Sequence, residues 1–373
     1  MVKMMLICAE SSGDFLAAEL VDALKEEIPN ISFTDSFIGQ ECQKKGLRSV
    51  ADMSQIAKMG FFEIRRLILS AIAQQKPECI ILVDGFAFTH FVAKKIKKQY
   101  PDIKLVKYIA PKLWAWASWR AYKLKIYDRV LTCLPFEVDF FKRKNIAVSF
   151  VGHSVLQRIH FISDIQKQAF KVRHNIPDHK KIILLLCGSR HSEISRLKDI
   201  FLQVSRKFDP QKHHFIIPIA SQKSAYFSDI SSCYTILTEA DDRFKAFQIA
   251  DAALAASGTV SLELMIASVP TVIAYKVSYL SALLARWLVN VPYVTLLNIM
   301  LNKPVFPEFL QNNCTIDQLY PALNCALYDT EKIVEQKQMC QKATKMLSVY
   351  ENESGIIPSS IVCARIIKKL IFD

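Results

Sequence analysis

The sequence predicts an α/β protein built from two doubly wound, Rossmann-like parallel-sheet domains facing a central cleft. Three observations carry that expectation. Short apolar runs bounded by turn signals alternate with longer segments of helical period. The runs fall into two sets separated by a polar stretch, and 373 residues with 51% hydrophobic content suffice for two cores.

In chain order, the runs at 3–8, 79–83, 104–108, 129–133 and 149–151 read as the strands of a first sheet, and those at 182–186, 215–219, 234–237, 252–256 and 271–274 as a second. Between them, 154–180 is rich in polar residues and contains Pro177, which suits a linker and a fresh start. Domains are therefore expected at 1–160 and 175–345, with 346–373 ending in a helix that crosses back onto the first. The opening run, 4–9, has no basic leader or cleavage site and reads as a buried strand, not a signal peptide. The most apolar stretch, 279–301, is interrupted by Arg286, Asn290, Pro292 and Asn298, whereas a membrane span needs about 20 largely apolar residues.

The net charge of +13 favours acidic partners such as nucleic acid, anionic lipid or phosphorylated substrates. No nucleic-acid-binding motif accompanies it, and nucleic acid is not an expected partner. The ten cysteines are scattered without a CxxC pair, as in a cytosolic protein with reduced thiols. No clustered ligand set calls for a metal, and no cofactor is expected.

Two doubly wound domains place their binding loops at the carboxyl ends of the strands, with a ligand in the cleft. After the run 252–256 come Ser257, Gly258 and Thr259, then Glu263 about one turn into a helix. Free N–H groups at such a turn bind phosphate and Glu263 would accept from a ribose, or the hydroxyls merely cap the helix. A second small-residue turn, Cys187 to Arg190, follows the run 182–186. Arg190 either neutralises a diphosphate or forms a surface ion pair.

In the first half, Glu10, Ser12, Gly13 and Asp14 follow the first strand, where they bind a polar substrate or cap a helix. Asp84 ends the run 79–83, where a carboxylate accepts the proton of an attacking hydroxyl or simply orders a turn. Trp114, Trp116 and Trp119 sit beside basic residues, as a stacking surface, a sugar or acyl-chain wall, or core. The segment 59–72 is apolar around most of a helix yet holds Arg65 and Arg66. It reads either as a helix that dips Phe61, Phe62, Ile64 and Ile68 into a bilayer while the arginines meet lipid phosphates, or as a buried helix with snorkelling arginines. Nearby lysines such as Lys94 and Lys98 would add electrostatic attraction. His153 is a base, a ligand or a hydrogen-bonded residue at the domain junction.

In this order the segments resemble the lipid-A-disaccharide synthase family. The family's GExSGD is similar to residues 9–14, its MGxxEV to 59–64 and its YVSPSVWAW to 108–116. LPFE recurs at 134–137, VGH at 151–153, GSRxxE at 188–193 and ASGTxxLE at 256–263, while YVSLPN is similar to 293–298, with Glu308 and Gln311 beyond. The resemblance covers nearly the whole chain. It implies a GT-B fold with acceptor on the first domain and UDP-sugar on the second. The implied partners are UDP-2,3-diacylglucosamine and 2,3-diacylglucosamine 1-phosphate, joined with inversion and without a metal by peripheral inner-membrane proteins that form homodimers.

By matching position, the resemblance makes Asp84 the general base and Arg190 the diphosphate contact. Ser257, Gly258, Thr259, Glu263 and Asn298 fall on the UDP-sugar side, and Glu10, Ser12, Gly13 and Asp14 on the acceptor side. The chain departs from the family pattern at Ala87, where a second aspartate is usual, and at Ala9, Ala117 and Leu297.

Overall fold

The computed structural model describes the chain except residues 9, 52–59, 228–232, 279–290 and 352–354 and the side chains of residues 61 and 221. Ala9, Met59, Arg286, Asn290 and the Phe61 side chain, all used above, lie outside the described residues.

The chain divides into two compact units, Met1–Gln157 with Leu347–Asp373, and Arg158–Met346. The first holds a sheet of β1 (Val2–Cys8), β2 (Ile31–Phe33), β3 (Cys79–Val83), β4 (Lys104–Tyr108), β5 (Arg129–Thr132) and β6 (Val148–Phe150). Its spatial order is β2-β1-β3-β4-β5-β6, every pair parallel. Parallel strands need long crossovers and are covered on both faces, which is why the buried parts of these runs are largely apolar rather than alternating. One face packs on α1 (Ser11–Glu27) and the last helix, Ser359–Phe372. The opposite face packs on α3 (Phe61–Gln75) and α4 (Phe86–Gln99), while α2 (Gln40–Lys44) is a short turn beside α1. The last helix is pinned to α1 by Arg365, whose Nε donates to Glu27 at 2.7 Å.

The second unit repeats the plan. Its sheet consists of β7 (Lys181–Leu186), β8 (His213–Pro218), β9 (Tyr234–Leu237), β10 (Ala252–Ala256), β11 (Thr271–Tyr275) and β12 (Glu308–Leu310). The order is β12-β11-β10-β7-β8-β9, again parallel throughout. The polar segment expected to be a linker contains α6 (Asp164–Arg173), after α5 (Pro135–Lys142) of the first unit. Polarity there reflects a solvated helix face, and Ser163 and Gln166 close a reciprocal capping box at its start. Further helices are α7 (His191–Ser205), α8 (Ala240–Ile249), α9 (Thr259–Ile266) and α10 (Leu296–Leu301), then α11 (Ile316–Tyr328), α12 (Thr330–Met346) and the last, α13.

In both sheets the strand order reverses once. The chain runs from β1 to β2 on one side and then to β3 on the other, and from β7 through β8 and β9 before returning to β10. A crevice opens at the carboxyl ends of two strands whose connections leave in opposite directions, and ligands collect there. The registers keep the strand ends level: Cys8 pairs with Val83, and Leu186 with Ala255. The segments after β1 and β3 are therefore neighbours, as are those after β7 and β10.

Candidate functional site

At the first reversal Asp84 leaves β3 in a left-handed conformation (φ 50°), followed by Gly85 (φ 47°). Its N–H still donates to the Tyr108 carbonyl at 3.0 Å, so the ladder ends only where the turn begins. A left-handed non-glycine residue costs roughly 1–2 kcal/mol and needs surroundings that hold it. Ser12 Oγ donates to Asp84 Oδ2 at 3.4 Å and the Gly85 N–H to Oδ1 at 2.9 Å. Gly13, in the first turn of α1, lies against this turn: a Cβ there would stand 3.4 Å from the Asp84 Cβ, an ordinary van der Waals contact. Glu10 occupies the N-cap position of α1 but its exposed side chain makes no capping bond.

Asp14 differs from its expected role. Its carboxylate is turned inward, 3% exposed, and accepts the Gly39 and Glu41 N–H groups at 2.8 Å each, which caps α2. Among the described residues, Cys8, Asp14 and Cys42 bring ligand-type atoms within 4.8 Å of one another, and the hydrogen bond with Cys8, together with burial, pushes the Cys42 thiol well above its ordinary pKa.

Beneath Asp84 lies a group that the sequence reading passed over. Lys107, on β4, is 0% exposed and its ammonium donates to the Asp84 carbonyl and to Thr89 Oγ1. Burial pulls its pKa down to about 7, against the opposing pull of Asp84, Cys8 and Glu10. Its signal in the sequence was a second lysine three residues past Lys104, inside the run rather than at its start.

At the second reversal both small-residue turns meet. Gly188 (φ 103°) carries no Cβ, which would otherwise stand 2.5 Å from Glu193 Oε2. That carboxylate accepts the Ser189 and Arg190 N–H groups at 2.9 and 3.2 Å. Lys223 donates to the Ser189 carbonyl from a distant part of the chain, a contribution no local motif announces. Arg190 is exposed, 3.7 Å from Glu193 Oε1. Across from it Gly258, exposed with open space where a Cβ would be, precedes α9. Gly258, between Ser257 and the first helical residue Thr259, holds the N-cap position and has no side chain to cap with, and Ser261 Oγ donates back to the Gly258 carbonyl at 2.7 Å.

Glu263 is held by Arg243 of α8, whose Nη2 donates to Oε1 at 2.7 Å. Its other oxygen, Oε2, is buried without a hydrogen-bond partner among the described residues. Burial raises the pKa of this carboxyl, while Arg243 and Arg158 pull it down.

Asn298 also departs from expectation. It is 0% exposed, and its amide donates to the Phe306 carbonyl and Glu308 Oε1 and accepts the Phe306 N–H, at 2.8 to 2.9 Å. Glu308 also takes the Val294 and Thr295 N–H groups and the Thr295 hydroxyl. Asn298 thus ties α10 to the segment before β12 instead of lining a ligand surface.

The surface assigned to membrane contact changes its membership. Ile64 and Ile68 are buried in the core under α3. Phe62 is 71% exposed, with the Arg65 guanidinium 5.1 Å from its ring, and Arg66 faces solvent. Trp119 is 69% exposed, Trp116 and Tyr122 are exposed too, and Arg120 lies over the Trp116 ring at 5.6 Å. Trp114 turns inward, donating to Glu137 Oε1 at 2.7 Å. His153 accepts the Val155 N–H through Nδ1 at 3.2 Å, as a junction residue does.

Two parallel six-stranded sheets, each with its polar turns at the reversal of strand order, define a GT-B fold, the class of many nucleotide-sugar enzymes. Solved structures share it: UDP-GlcNAc 2-epimerase from Neisseria meningitidis bound to UDP-GlcNAc (TM-score 0.64, 13% identity, 99% of this chain and 100% of that one) and MurG from Acinetobacter baumannii (0.55, 14%, 99% and 100%). Within that class, residues 4–359 match the model of the lipid-A-disaccharide synthetase family, and the chain belongs to this family of glycosyltransferases. Relatives include the lipid-A-disaccharide synthases of Gluconobacter oxydans (33% identical over 349 residues, 89% of this chain and 83% of that protein) and Rickettsia felis (30% over 389, 99% and 96%).

Proposed function

We propose that this protein is an inverting glycosyltransferase that condenses UDP-2,3-diacylglucosamine with 2,3-diacylglucosamine 1-phosphate to the β-1,6-linked disaccharide 1-phosphate and UDP. The observation that carries the reading is Asp84, a carboxylate projected from the end of β3 by a left-handed turn beside the Ser12 hydroxyl. The acceptor's 6-hydroxyl oxygen attacks the donor's anomeric carbon and the proton on that hydroxyl passes to Asp84. The bond to the β-phosphate oxygen breaks on the opposite face, and UDP leaves with the electron pair. A single displacement of this kind inverts the anomeric carbon.

Glu10, Ser12 and Gly13 form the acceptor side. On the donor side, the N–H groups at the start of α9, the open space at Gly258 and the exposed Arg190 suit a diphosphate. The free Glu263 oxygen suits a ribose hydroxyl, because a buried carboxylate oxygen without a donor is costly until one arrives. No metal or cofactor takes part.

The reading includes a place on the cytoplasmic face of an inner membrane. Among the described residues no helix is long and apolar enough to cross a bilayer. Phe62, Trp116, Trp119 and Tyr122, exposed beside Arg65, Arg66 and Arg120, suit the interface between headgroups and acyl chains.

The test is incubation of purified protein in detergent with both substrates and a chelator, following products by mass spectrometry and the anomeric configuration by NMR. Disaccharide and UDP in equal amounts with a β linkage are expected. Absence of disaccharide with acyl chains of several lengths, while UDP binds, would overturn the assigned acceptor.

A further inference from the structure

A buried ammonium is costly, and Lys107 carries one into an apolar layer. It pairs across the sheet with Leu82 of β3 and Val130 of β5, on the face that packs against α4. Moving such a group out of water costs several kcal/mol unless its donors are well used. Here they are used on one feature of the fold. The ammonium donates to the Asp84 carbonyl and to Thr89 Oγ1, at 3.1 Å for the latter. The Thr89 hydroxyl, on the first turn of α4, donates onward to the Gly85 carbonyl at 3.1 Å. Asp84 and Gly85 are the two successive left-handed residues of the turn. Both of their carbonyls are therefore held from below, that of Asp84 by Lys107 and, at 3.1 Å, by the Thr89 hydroxyl, and that of Gly85 by the Thr89 hydroxyl and N–H.

The sheet and the helix each hold this turn by one backbone bond, the Asp84 N–H to the Tyr108 carbonyl and the Thr89 N–H to the Gly85 carbonyl, both at 3.0 Å, and neither bond reaches the Asp84 carbonyl. Left unsupported, Asp84 would gain by relaxing to a right-handed or extended conformation, which would swing its carboxylate away from the sheet edge and from Ser12. We infer that Lys107 is a positioning residue for glycosyl transfer, which locks the Asp84–Gly85 turn through its bonds to the Asp84 carbonyl and Thr89. The inference rests on the reading of Asp84 as the base and adds the residue that aims it. Lys107 touches no reacting atom.

The test compares Lys107→Met with wild type, alone and in an Asp84→Asn background. Lys107→Met nearly preserves length and removes the buried charge together with its donors. Its kcat is expected to fall about 10- to 100-fold, with KM for both substrates within twofold and a melting temperature within a few degrees of wild type. In the Asp84→Asn background, where the aimed group no longer accepts a proton, the same change should alter the residual single-turnover rate by less than twofold. A purely structural lysine predicts the reverse: a lower melting temperature with an unchanged kcat for the folded fraction. Full kcat in Lys107→Met, or an equal loss in both backgrounds, overturns the inference. Full activity of Asp84→Asn alone would instead overturn the assignment of the base. Should Lys107→Met fail to fold, Thr89→Val takes its place; it removes the hydroxyl's bonds to Lys107 and to the Asp84 and Gly85 carbonyls while nearly keeping the side-chain shape, and a several-fold loss of kcat is expected where an unchanged kcat would contradict the inference.

Discussion

At the scale of single residues, charge and burial separate binding groups from supports. Glu263 has one oxygen committed to Arg243 and one free, so Glu263→Gln keeps the first contact and weakens the second. Bonds to ionised groups are roughly twice as strong as neutral ones, and about 1.4 kcal/mol, a roughly tenfold rise in the dissociation constant of UDP, is expected by calorimetry. An unchanged constant would remove Glu263 from the ribose site. Glu137 is a support of another kind. Burial raises its pKa to about 8, while Trp114 pulls it down, and its oxygens bond Trp114 and Thr132. The folded state therefore keeps a proton that the unfolded chain releases near pH 4.5, and stability falls as pH rises from there through about 8. Glu137→Gln lacks that proton, so its melting temperature relative to wild type should climb between pH 5 and 8; a constant difference would refute the protonated state. Motif and strand-end position pointed in the sequence to Asp84, Ser12 and Glu263, the groups proposed here to react or bind. Asp14 and Asn298 carried the same kind of signal, but their polar atoms are consumed by Gly39, Glu41 and Phe306, partners set by tertiary packing that no spacing reveals.

Among elements, the interior strands were legible because burial on both faces favours apolar runs: 79–83, 104–108 and 252–256 are strands over those same residues, as is the edge strand at 234–237. Of the four edge strands, β6 and β9 correspond to expected runs, whereas β2 and β12, three residues each and half-buried, escaped notice. A short edge strand buries too little to need an apolar run. The turn before α7 makes the sharpest prediction at this scale. Gly188 is left-handed and its missing Cβ leaves room for the Glu193 carboxylate that holds the Ser189 and Arg190 N–H groups. Gly188→Ala should cost about 1–3 kcal/mol of stability, read in a denaturant titration, and weaken UDP binding with it. Wild-type values for both would show that the turn has slack that the geometry does not suggest.

On the scale of the whole molecule, each unit reverses its strand order once, and the groups assigned to each substrate lie at that reversal. This was legible only in part. Alternation of apolar runs and helical segments predicts doubly wound sheets, but the strand neighbours, and hence which turns meet, come from the fold. The exposed aromatic and cationic residues of the first unit support a prediction about location. Phe62→Ser combined with Trp119→Ser should reduce co-sedimentation with vesicles containing anionic lipid several-fold, and raised salt should weaken the binding of both forms. Binding unaffected by the double substitution would move the membrane contact elsewhere.

The central claim is that Asp84 accepts the proton of the attacking hydroxyl, and the most direct measurement is the single-turnover rate of Asp84→Asn with UDP affinity recorded on the same preparation. The account predicts a rate lower by about 10²- to 10⁴-fold with UDP affinity unchanged. A rate within a few-fold of wild type would contradict it.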